Sequence, residues 1–512
     1  LSKTFGKPNS ASAISFFTAA GFLAYGNNLS IVRAVGSSAK NASGGTAVLV
    51  DNSDTFQYSY LNNNNSNTYG AFVARYAGSL GNSLEVQVCD NATDFATWDY
   101  KSYFTSAPGT SEFVSNAGGA QDEMHIVVID QDGLFTGVAN TVLETFAFVS
   151  KASDASSNGQ SNYYKQVVFN SSRYVYAIDP VSYTSTHATW GQTGLTTFTQ
   201  LSGVQTVTLS GGVDSSPTDS NLETAYDLFA NKQTVDISLV LTGNASVTLQ
   251  QYVIDTLVGS GARQDCVVFI SPPESSVVNN SGNESADIQT WLTSLARSSS
   301  YVVADSGWKY QLDKYNNTYR WVPLNGDIAG LCANTDAVRD PWFSPAGFNR
   351  GSVKNAIKLA WNPSKTYRDA LYSVGVNPVV SFPGQGIVLF GDKTLQAKPS
   401  AFDRINVRRL FIVLEKAIAK AAQYSLFEFN DEFTRAQFVA LVTPFLRDVQ
   451  GRRGITDFKV VCDTTNNTSQ VIDSNRFVGD IYIKPARSIN FIQLNFVAVG
   501  TGVDFTTVVG AA

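Results

Sequence analysis

Three apolar runs, VDISLVL (235–241), DCVVFIS (265–271) and YVVAD (301–305), alternate with stretches of helical spacing at 221–231, 247–258 and 286–297. Apolar strands separated by helices of this length predict βαβ units and a partly parallel sheet, because parallel neighbours need a crossover long enough to hold a helix. The middle of the chain is thereby confined to an α/β arrangement.

Upstream the rhythm changes. From about Ala71 to Gln205 the runs AFVARYA, SLEVQVC, HIVVID, TVLETFAFVS, KQVVFN and YVYAID are period-two or short and continuous, with Gly, Asn and Ser turns between them. They predict a β-rich domain. Residues 12–24 have helical spacing and are followed by the strand-like LSIVRAV at 29–35, whereas 36–66 are rich in Ser, Asn and Gly and read as an exposed loop or small insertion.

After Trp361 the pattern predicts a helix at 364–373, a hairpin in VVSFPGQGIVLFGD, helices over Phe402–Ala422 and Asp431–Gln450, and three strands in FKVVCD, RFVGDIYIK and SINFIQLNFVAVG. The last strand puts Ile492, Leu494, Phe496 and Ala498 on one side and Gln493 and Asn495 on the other. A half-buried strand near a chain end suits addition to a neighbour's sheet edge. The fold class is α/β and α+β in several domains.

Charge is divided unevenly. Residues 362–512 hold 17 Lys+Arg and 13 Asp+Glu, a net of +4, and residues 1–361 hold 19 and 29, a net of −10, which sum to the chain's −6. This asymmetry fits self-association or an acidic partner better than nucleic-acid binding. In Phe402–Ala422, with Arg409 as origin, Lys416 and Lys420 lie within about 20° of it, while Leu410, Phe411, Leu414, Ala417, Ile418 and Ala421 occupy a separate arc. One face predicts a core stripe and the other a cationic rail.

Chemistry is sparse. His125 and His187 are the only histidines, neither is near a GxSxG, and each is expected to be structural. The run Gly386–Thr394 only approaches a phosphate loop: IVLF is strand-like, and Asp392 would oppose a phosphate. Asp431 reads as the N-cap of the following helix. Cys89, Cys266, Cys332 and Cys462 lack metal-ligand spacing and are expected as buried free thiols. No catalytic residue, cofactor or metal is assigned, and no apolar stretch is long enough for a membrane helix.

Several strings resemble the tail sheath proteins of contractile-tailed bacteriophages of the large myovirus type. They are RQDC (263–266), YQLDKYNNTYRWVPLNGDIAGLCA (310–333), SPAGFNRG (344–351), FDRINVRRLF (402–411), VVCDTTNNT (460–468) and PARSINFIQLNFVAVGTGVDF (485–505). TFGKP and YGNNLSIVRAV resemble the family's opening unit, and residues 36–66 stand where large members carry a protruding domain. The resemblance also implies an amino-terminal arm of roughly fifty residues, which is expected to be missing from this sequence.

The resemblance implies a middle domain of 1–35 plus 205–361, a reduced insertion at 36–66, a β-rich outer domain at 67–204, and an inner, tube-contacting domain at 362–512. It implies a homo-oligomeric sleeve of stacked hexameric rings around a tail tube, ended by baseplate and tail-terminator proteins. The sleeve would contract to drive the tube through the host envelope, without nucleotide, direct nucleic-acid contact or membrane insertion. Such a protein would be assembled in the host cytoplasm and reside in the virion tail. Arg409, Lys416 and Lys420 are expected to face the tube, Arg404 and Arg408 to engage in packing or inter-subunit ion pairs, and Ile492, Leu494 and Phe496 to lie between subunits. The alternatives are a sleeve from a headless contractile machine (bacteriocin or secretion-system type), a hydrolase using Ser with a histidine, or a surface adhesin.

Overall fold

A computed structural model describes residues 1–61, 68–181 and 189–490. The chain divides into two compact units. The first comprises 1–297, 305–330 and 353–362; the second comprises 298–304, 331–352 and 363 onward.

In the first unit, four antiparallel strands lie in the order Thr141–Ser150, Glu123–Asp130, Leu84–Cys89 and Gln205–Thr208. HIVVID sits in an inner strand covered on both faces, which accounts for its unbroken apolar run. Met124, Ile126 and Val128 meet Val86, Val88, Tyr164 and Val168 on one face; Val127 and Ile129 meet Cys89 and Trp98 on the other. KQVVFN, expected as a strand, lies in the helix Tyr164–Ser171. Short apolar runs do not distinguish strand from buried helix, and Tyr164 and Val168, four apart, pack this one onto the sheet.

One further expectation fails in this unit, and a second holds only in part. LSIVRAV forms no strand, and its Ile31 and Val32 are exposed. The stretch 36–66, expected as an exposed loop or small insertion, is exposed only in part over its described residues 36–61. Asn41 is fully buried, its amide donating to the Ala74 carbonyl at 2.9 Å and its carbonyl accepting from the Val50 N–H at 2.9 Å. Phe56, in the helix Ser53–Phe56, is 0% exposed and stacks on Tyr176 with ring centroids 4.1 Å apart. The Asn41 side chain satisfies buried backbone rather than water.

The βαβ rhythm is present: Leu239–Leu241 pairs in parallel with Val267–Ile270, and the helix Val247–Val258 lies between them in sequence. Ser246 caps that helix by accepting from the Leu249 N–H. The helix Glu284–Leu295 is tied to it by the Trp291 indole, which donates to Gln250 at 2.9 Å.

In the second unit, Val379–Phe382 and Gly386–Leu389 form the expected hairpin, so the phosphate-loop lookalike is a strand. The helices Ile405–Ala422 and Glu432–Gly451 share a core with the antiparallel pair Ile455–Val461 and Asp480–Pro485 through Leu410, Leu414, Phe438, Val442, Leu446 and Ile455. Asp431 is the expected N-cap, accepting from the Thr434 N–H at 2.8 Å, and this bond holds its carboxyl below the usual range. The four cysteines are free and buried.

Candidate assembly surface

The helix Ile405–Ala422 changes character along its length. From Ile405 to Leu410 every residue is buried, Asn406, Arg408 and Arg409 included; from Glu415 onward the helix presents an exposed side. A projection by angle treats both halves alike, and here it misleads.

Arg409, expected at the head of an open rail, is only 5% exposed. Its Nη2 donates to both Asp336 oxygens, at 2.7 and 2.5 Å, and its Nη1 donates to the Cys332 carbonyl at 3.3 Å. Burial pushes the Asp336 carboxyl up, and the guanidinium opposes that shift. Arg409 is therefore a structural cation. The rail contracts to Lys416, which is partly covered, and Lys420, which is exposed.

Arg408 and Arg404 are also engaged within this unit. Arg408 lies 4.0 Å from the Tyr301 ring and 3.9 Å from the Phe402 ring, and donates to Ser300 Oγ at 2.7 and 3.0 Å. Such stacking suits a planar, weakly hydrated guanidinium. Arg404 donates to the Tyr372 hydroxyl and approaches Asp392 at 3.4 Å.

Asp392, which the sequence marked only as an objection to phosphate, is 2% exposed and central to a cluster. It accepts from Ser344 Oγ at 3.0 Å, Tyr372 OH at 3.1 Å, Ser488 Oγ at 2.7 Å and Asn490 Nδ2 at 3.0 Å, besides Arg404. Burial and the Asp392 charge together raise the Tyr372 phenol well above its ordinary range.

Between the two helices lies a surface that the sequence reading missed. Tyr424, Phe427, Phe429 and Phe433 are 84%, 105%, 82% and 69% exposed. The available signal was LFEFNDEF, in which aromatics alternate with Glu428, Asp431 and Glu432 in no helical or strand register.

His125 is structural. It is buried and stacked on Phe104 with centroids 4.1 Å apart; Nε2 donates to the Ser106 carbonyl at 2.9 Å and Nδ1 accepts from the Phe148 N–H at 3.1 Å. Burial lowers its pKa. His187 and the expected contact residues Ile492, Leu494 and Phe496 lie outside the described residues. Among the described residues no group of three or more His, Cys, Asp or Glu could hold a metal, and no helix is long and apolar enough to cross a membrane.

Comparison with known proteins assigns this surface to a family. Residues 221–395 match the phage tail sheath protein central domain, and 397–498, which include both helices and the aromatic loop, match the phage tail sheath C-terminal domain. The tail sheath protein of Vibrio phage KVP40 is 41% identical over 85% of this chain and 66% of its own length; that of Enterobacteria phage T4 is 39% identical over 86% and 66%. The chain thus spans just under two thirds of those two relatives. The tail sheath protein of Salmonella phage ViI is 32% identical over 99% of this chain and 90% of its own length. A sheath tail protein crystal structure from Listeria innocua aligns with 92% of this chain and 99% of its own at 11% identity, with a TM-score of 0.46. With 32% identity extending over nine tenths of a relative, the chain belongs to the phage tail sheath protein family.

Proposed function

We propose that the chain is the subunit of a contractile sleeve, polymerising as stacked hexameric rings around a tail tube and shortening to drive the tube through the host envelope. The sheath-family identity spread over 99% of the chain carries this reading. The four exposed aromatic side chains support it, since large apolar groups left exposed within ten residues of one another in sequence suit an interaction surface.

Lys416 and Lys420 are the proposed tube contacts, and Ile492, Leu494 and Phe496 the proposed inter-subunit strand. Single exposed ion pairs contribute about 0 to 1 kcal/mol, so attachment rests on repetition along the sleeve, and weak contacts can break in sequence during shortening. Baseplate and terminator proteins at the two ends, assembly in the host cytoplasm and residence in the virion tail complete the proposal, and the chemistry needs no cofactor. The proposed domain scheme keeps the middle (1–35 with 205–361), outer (67–204) and inner (362–512) parts. Residues 39–61 are placed with the outer part, onto which they pack.

Electron microscopy of the purified chain, with and without its cognate tube, tests the proposal. Hollow cylinders with six-fold rings are expected. Monomers that leave tubes bare would overturn it.

A further inference from the structure

The aromatic loop has a counterpart on the same helix that it precedes. The outward side of Glu432–Gly451 and the neighbouring strand form a groove of about 550 Å³ lined by Ala436, Ala440, Thr443, Pro444, Val460 and Cys462, with Asp463 at one rim. Pro444 lies inside the helix and has no N–H to give the Ala440 carbonyl, so that carbonyl lacks its helical donor beside the groove both residues line. At about 100° per residue, Arg447 falls within the arc of Ala436, Ala440, Thr443 and Pro444, one turn beyond them, and it is exposed.

The loop has complementary properties. Between Tyr424 and Phe433 it carries three acids and no base. Phe427 is fully exposed and held at φ 70°, a conformation disfavoured for a bulky residue and kept where surroundings or function demand it. At about 150–250 Å² per aromatic side chain, the four exposed rings offer roughly 700 Å². One partner's share of a standard interface is about 800 Å².

We propose that the loop Tyr424–Phe433 of one copy seats in the Ala440–Pro444 groove of the next, with Glu428 directed to Arg447 and away from Asp463. The occupant is a second copy of this chain, because one molecule carries both an acidic aromatic plug and an apolar groove with a cation at its end. The two share no residue: the plug ends at Phe433 and the groove begins at Ala436, and its cationic end, Arg447, lies about 22 Å along the helix from Glu432. Contact between different patches is heterologous and repeats into rings or helices. The inference rests on the sleeve reading and adds to it a specific joint between subunits.

The test uses two full-length variants, Phe427→Cys and Ala440→Cys, at exposed positions, each also carrying Cys462→Ser because Cys462 lines the groove, in a chain whose other native thiols are buried. Each is assembled alone and as an equal mixture, treated with a short bismaleimide, and run under denaturing conditions. A covalent dimer from the mixture, absent from either variant alone, is the expected result. Glu428→Arg should reduce its yield at least tenfold, and adding Arg447→Glu on the mixture's other partner should restore it. Normal sleeves without the dimer would overturn the joint while leaving the sleeve reading intact. Cross-linking of Phe427→Cys to the tube protein instead would overturn a second copy as the occupant. Failure of the unmodified chain to form sleeves would overturn both.

Discussion

Replacing Arg409 separates a structural cation from a contact cation. The arginine side chain is 6% exposed and Asp336 is 38% exposed. Breaking a fully buried pair costs about 3–5 kcal/mol, and breaking an exposed one about 0–1 kcal/mol. With one partner buried and the other partly hydrated, Arg409→Ala should destabilise the second unit by about 2–3 kcal/mol, including the loss of the bond to the Cys332 carbonyl. Denaturant unfolding of Arg409→Ala, Asp336→Ala and the double variant gives the coupling directly. The double variant should be less destabilised than the sum of the singles by about 1–2 kcal/mol, because neither charge is then left alone. An Arg409→Ala midpoint equivalent to within about 0.5 kcal/mol of the parent would refute the structural role and return Arg409 to the surface.

Lys416→Glu with Lys420→Glu should leave unfolding unchanged to within about 0.5 kcal/mol while abolishing co-sedimentation with the tube; normal sleeves on tubes would remove the contact. Phe56→Ala should destabilise the first unit by about 3–5 kcal/mol, read as an unfolding midpoint, since the ring is fully buried against Tyr176. His125 is buried with a lowered pKa, so the unfolded chain binds its proton at higher pH than the folded one. Its contribution to stability is therefore lost as pH falls below about 6.5 towards the folded value. A parent-minus-His125→Gln difference in stability that does not shrink between about pH 7 and 5 would contradict this.

Much of the second unit was legible because its helices carry their own boundaries. Asp431 is a local signal, and its cap bond spans three residues. Arg409 was placed on the right helix and the wrong environment: its partner is 73 positions away, and no periodicity encodes what covers an arc. KQVVFN failed for want of length, since a run so short has no period of its own. The reading of residues 36–66 as exposed missed the buried Asn41, because an Asn-rich composition does not reveal that one amide bonds backbone at both ends. The aromatic loop escaped because exposed rings in no helical or strand register obey no rule of burial within their own chain.

If the proposed sleeve carries tension through the chain beyond Asn490, the Asp392 cluster would set where that load enters. Ser488 and Asn490 are fastened to it downstream of the strand Asp480–Pro485, which is joined to Ile455–Val461 by a single ladder. A pull exerted from beyond Asn490 would meet the carboxylate first, and the two charge-assisted bonds from Ser488 and Asn490 would have to fail before force reached the ladder and began to unzip it rung by rung. Asp392 acts like the strain-relief collar on a cable, diverting tension into the hairpin Val379–Leu389 and the root of the helix Ile405–Ala422.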